Sequence, residues 1–120
     1  MIMISNRQRT FVLGLDGTPY SLLNDASFRT HIPNLSRLLE QNGRRMNSVY
    51  PTVSSVAWST YMTGLDPSGH SIFGFVDRSP NPFFIKIPTA IDRKGTSIWR
   101  ELSGQGKRVI VINVPMTYPP

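Results

Sequence analysis

The chain has no cysteine, which excludes a disulfide framework, a thiolate metal site and dithiol redox chemistry; any metal must be held by carboxylate, imidazole or hydroxyl groups. It also lacks an apolar run of the roughly 18 residues that a membrane-crossing helix needs. The opening Met1-Ile2-Met3-Ile4-Ser5-Asn6-Arg7 has too few consecutive apolar residues for a signal-peptide core and no small-residue cleavage site. These absences predict a cytoplasmic protein with no membrane partner. Acidic side chains are scarce too: 7 against 13 Lys and Arg, a formal charge of +6. The cations are scattered rather than clustered, so the excess reads as solvated surface and not as a nucleic-acid face; it suits a small anionic substrate.

With 120 residues the chain can bury a core and build one small domain. Thr10-Phe11-Val12-Leu13-Gly14-Leu15 is a short apolar run ending on the turn cluster Asp16-Gly17-Thr18-Pro19, and it predicts a buried strand. Pro33 to Gly43 opens on proline, carries Leu35, Leu38 and Leu39 on one face and closes on glycine, which predicts a helix. Arg44 to Tyr50 reads as a second strand. Ser54 to Gly64 reads as a helix with serine at its N-cap and glycine as its stop. From Leu65 to Ile91 the density of Gly, Pro, Ser and Asp predicts an ordered loop with one short strand at Phe83 to Ile87. A helix from an N-cap at Thr96 to Ser103 and a buried strand over Lys107 to Val114 complete the series. Strand, helix, strand, helix, loop, helix, strand predicts an α/β fold with a doubly wound, mostly parallel sheet. The stop after Val114, where such a sheet wants its next helix, leads us to expect a truncated segment of a larger catalytic domain with an apolar edge exposed.

Two residues fall at junctions where ligands bind in such sheets. Asp16 follows the first strand, where an aspartate is more often a turn former than a metal ligand. Ser54 opens a helix, where serine is more often an ordinary cap. A serine at a helix N-terminus can also be a nucleophile for phosphoryl transfer, because amide N–H groups and the helix dipole favour phosphate oxygens there. His31 is expected on the surface, and Trp58 and Trp99 in the core.

Four blocks in order carry a resemblance. They are Phe11-Val12-Leu13-Gly14-Leu15-Asp16-Gly17, Pro33-Asn34-Leu35-Ser36-Arg37-Leu38, Pro51 through Gly64, and Pro67-Ser68-Gly69-His70-Ser71-Ile72-Phe73-Gly74-Phe75. Together they resemble the type I phosphodiesterase/nucleotide pyrophosphatase branch of the alkaline phosphatase superfamily, in its N-terminal portion. The resemblance implies an alkaline-phosphatase-like fold and two divalent metal ions, expected to be zinc. It implies that Asp16 is a metal ligand and that Ser54 is both nucleophile and metal contact, with Ser55 beside it binding substrate. The remaining ligands are expected downstream, so this chain alone should turn over little. His70 matches a position that does not ligate metal and is expected to hydrogen-bond its loop. The sequence departs from the classical pyrophosphatases at Ala57, where they carry asparagine, which leaves monoester against diester preference open. The implied activity is metal-dependent hydrolysis of a small-molecule phosphoester or nucleotide-type phosphodiester. A phosphoserine mutase of the same superfamily and a non-catalytic anion-binding α/β module are the alternatives.

Overall fold

The computed structural model describes residues 9–79 and 84–119. It divides into two compact units, one running to Arg44 and the other starting at Arg45.

In the first unit, three helices follow the Asp16-Gly17 turn: α1 (Tyr20–Leu23), α2 (Ala26–His31) and α3 (Pro33–Asn42). Asp25 starts α2 by accepting the Phe28 N–H at 2.8 Å, satisfying an amide that the helix cannot pair itself. Proline at the first position of α3 sets its entry, and Gly43 ends it, as the sequence predicts. Arg29 fastens α2 to α3: its guanidinium donates to Ser36 O at 3.3 Å and pairs with Glu40 at 3.0 Å, while Ser36 Oγ donates back to Arg29 O. Ser36 is the buried side chain of this unit among the described residues.

The second unit is built around α4 (Ser54–Thr63). This helix is rich in serine and threonine, which disfavour helix interiors unless their hydroxyls find acceptors. Here they do: Ser59 Oγ donates to Ser55 O and Thr63 Oγ1 to Ser59 O, each at 2.7 Å. Gly64, left-handed at φ 70, turns the chain out and donates its N–H to Thr60 O. Val56 and Met62 of α4 pack with Ile72 as the fully buried apolar core. Two further helices, α5 (Pro67–His70) and α6 (Ile98–Gly104), rest against α4. The cap of α6 is Ser97, one residue later than the Thr96 expected.

Three expected strands do not form. Thr10 to Leu15, Arg44 to Tyr50 and Lys107 to Val114 enter no ladder, and among the described residues the sheet is one antiparallel pair, β1 (Asp77–Arg78) with β2 (Ile85–Lys86). The reason is physical: a strand exists only by pairing, and propensity without a neighbour does not make one. In the third run, Asn113 also sits at φ 54, which breaks an extended backbone. Most apolar side chains of these runs are accordingly exposed, Phe11 at 87%, Met46 at 89% and Ile110 at 86%. The strand expected at Phe83 to Ile87 survives as β2; Phe83 itself lies outside the described residues. The protein is thus a small α/β chain with several helices and a two-stranded sheet. No helix among the described residues is long and apolar enough to cross a membrane.

Candidate active site

Ser54 is the first residue of α4, and the N-cap is Val53 rather than the serine. The difference of one position matters chemically. As the first helical residue it stands at the positive end of the helix dipole. The helical ladder begins at Val56 and Ala57, whose N–H groups both donate to Val53 O, at 3.1 and 2.9 Å. Ser54 is half-buried. Ser55, next to it, is fully buried, and its Oγ has no hydrogen-bond partner. A buried hydroxyl without a partner costs free energy, so this position is more demanding than a surface serine would be.

The floor under this helix is fixed by His70. Its ring is fully buried, with the Ile72 N–H donating to Nδ1 at 3.1 Å and Nε2 lying 3.0 Å from Thr60 Oγ1. Because Nδ1 accepts, the proton of the neutral ring belongs on Nε2, which donates to Thr60. Burial pushes the imidazole below its ordinary value; the Asp66 carboxylate opposes this, and the Arg93 cation adds to it. His70 O also accepts the Lys94 N–H at 2.9 Å. His70 therefore ties α4 to its own loop through the ring and to the loop at Arg93-Lys94 through its backbone carbonyl, which agrees with a loop-bonding role.

Asp16 lies in the first unit, exposed, in the turn closed by Gly17 at φ 65. Thr18 Oγ1 donates to its carbonyl at 3.4 Å. Ser54 and Ser55 belong to the second unit. Among the described residues no three His, Asp or Glu side chains come together, so these residues do not by themselves form a two-metal site. His31 is exposed, as expected. The tryptophans are not core: both are half-buried, and Trp58 meets Tyr61 edge-on at 5.7 Å. Sequence reasoning missed the buried guanidinium of Arg93, whose only signal was a basic residue in a loop.

No curated protein and no solved structure gives a significant match to the chain. Residues 10–120 match the family model described as type I phosphodiesterase / nucleotide pyrophosphatase. That span covers Asp16, the whole of α4 and the His70 loop, and the chain belongs to this family of phosphodiesterase- and pyrophosphatase-type hydrolases.

Proposed function

We propose that the protein hydrolyses phosphoesters or nucleotide-type phosphodiesters through a covalent intermediate on Ser54. The observation that supports this most is the position of Ser54 as the first residue of α4, inside the family match. In this reading Ser54 Oγ attacks phosphorus in line with the leaving alcohol, forms a phosphoseryl or nucleotidyl-seryl ester, and water then cleaves it. The helix N-terminus favours the negative charge that develops on the phosphoryl oxygens. Ser55 binds substrate by its backbone, since its side chain is fully buried. Asp16 would hold one of two zinc ions, and the pair would supply charge stabilisation and activation of the serine oxygen.

The test is hydrolysis of bis-p-nitrophenyl and mono-p-nitrophenyl phosphate by the zinc-loaded protein. Ser54→Ala should abolish turnover while circular dichroism stays unchanged. Asp16→Asn should lower zinc occupancy, with excess zinc recovering part of the activity. Turnover by Ser54→Ala close to that of the unmutated protein on both esters would refute the reading, and direct attack by water would replace the covalent step.

A further inference from the structure

A cavity of about 370 Å³ opens in the second unit, away from any residue assigned above. One wall is the loop carrying Arg93, the other is α6 with its cap, contributing Ser97, Trp99, Arg100 and Ser103, and the rim includes Thr117. The walls are held from outside. Ala90 donates its N–H to Tyr118 O at 2.9 Å, and Thr117 Oγ1 donates to Val114 O at 2.7 Å, which pins the C-terminal segment. Asp92 accepts from Lys86 and from the Thr89 N–H and hydroxyl, which fixes the turn before Arg93. On α6, Trp99 and Ser103 are four apart and Arg100 and Ser103 three apart, so they share a face.

The charge of this cavity is uncompensated. Arg93 Nε and Nη1 are buried and have no hydrogen-bond partner. The acidic residue next to it in sequence, Asp92, is committed to Lys86. Neither Arg93 nor Arg100 takes part in the ion pairs found among the described residues, Arg29 with Glu40 and Lys86 with Asp92. A guanidinium held in a wall without an anion is costly unless something negative visits it. Burial alone lowers the Arg93 pKa from its ordinary value, with no carboxylate field opposing it.

We propose that this cavity is a binding site for a phosphate-bearing small molecule, held by the Arg100 guanidinium and by the charge of Arg93 in the other wall, with the hydroxyls of Ser97 and Ser103 beside its oxygens and Trp99 beside its organic part. The exposed Arg100 fork can donate to two phosphate oxygens, while Arg93, whose Nε and Nη1 are enclosed, adds positive charge from the other wall, and this favours a dianion over a monoanionic carboxylate. Two hydroxyls add neutral donors without adding like charge. The volume is enough for a phosphate and a small organic group. The site uses neither Asp16 nor Ser54, so it stands or falls separately from the hydrolytic reading.

Inorganic phosphate is the probe, titrated into the chain in EDTA at constant ionic strength, with heat of binding and tryptophan fluorescence as readouts and acetate as the comparison anion. Saturable phosphate binding is expected, with acetate at least tenfold weaker. Arg100→Ala, at an exposed helix position, should fold normally and weaken phosphate about tenfold or more, the loss of one charge-assisted contact. Arg93→Gln removes the charge from the other wall and should also weaken it; if that variant misfolds, Arg100→Ala decides. Absence of saturable binding, equal affinity for acetate, or unchanged affinity in Arg100→Ala would each overturn the proposal.

Discussion

Two regions of this protein invert the usual relation between composition and burial. Half of helix α4 is serine and threonine, yet Ser55, Val56, Ser59 and Met62 are fully inside. The runs Phe11 to Leu15 and Val109 to Val114 are the most apolar stretches of the sequence, and Phe11, Ile110 and Ile112 are at least 75% exposed. Burial therefore follows from having a partner and not from hydropathy. A helix pairs its own backbone and needs only a surface to lie on; a strand must borrow half of its hydrogen bonds from a neighbour. The α4 hydroxyls bond back onto their own helix, which is how a polar sequence enters a core.

The comparison breaks most sharply under truncation of a core side chain. Met62→Ala should cost about 2–5 kcal/mol in denaturant unfolding, whereas Ile110→Lys should stay within about 0.5 kcal/mol. Comparable losses in both would show that the 109–114 run is packed after all. Gly95 gives a second strong effect. It sits at φ +85, and an added Cβ would lie 2.6 Å from Leu65 Cδ1. Gly95→Ala should therefore destabilise by about 1–3 kcal/mol, from the strained backbone with the contact added, read as a lower melting midpoint.

His70 sharpens the same contrast through pH. Its folded pKa lies below the ordinary 6.5, chiefly through burial. The unfolded chain therefore takes up the proton first as pH falls, so the histidine's contribution is intact above about pH 6.5 and is lost progressively below it. Denaturant midpoints taken from pH 7.5 to pH 5 should fall more steeply in the unmutated protein than in His70→Gln. Parallel slopes would mean that the ring is not held neutral.

The smallest effect on folding, and the clearest on behaviour, concerns the exposed runs. Contiguous apolar side chains promote association. Light scattering should show concentration-dependent self-association that Ile110→Lys with Val12→Lys reduces, at unchanged circular dichroism. A monodisperse monomer before mutation would contradict this.

These contrasts explain which parts were legible in the sequence. Helices α3 and α4 were, because a proline or serine at the start and a glycine after the end are local instructions that need no tertiary context. Helices α1 and α2 were not, being too short to show an apolar period, although Asp25 was a readable cap. The three strands were misjudged because the sequence records propensity and not the presence of a neighbour. At the site, the motif located Ser54 to within one residue of its cap position, and the His70 bonding role followed from its loop. The Arg93–Arg100 cavity was invisible, since a loop and a helix separated in sequence make it jointly.

The central claim is that Ser54 carries the transferred group. The most direct measurement is mass spectrometry of the zinc-loaded protein quenched in acid during turnover of a phosphoester substrate, followed by peptide mapping. The account predicts a phosphoryl or nucleotidyl adduct on the peptide containing Ser54, localised to that residue and lost in Ser54→Ala. An adduct on Ser55, or steady turnover with no adduct on α4 at all, would contradict it.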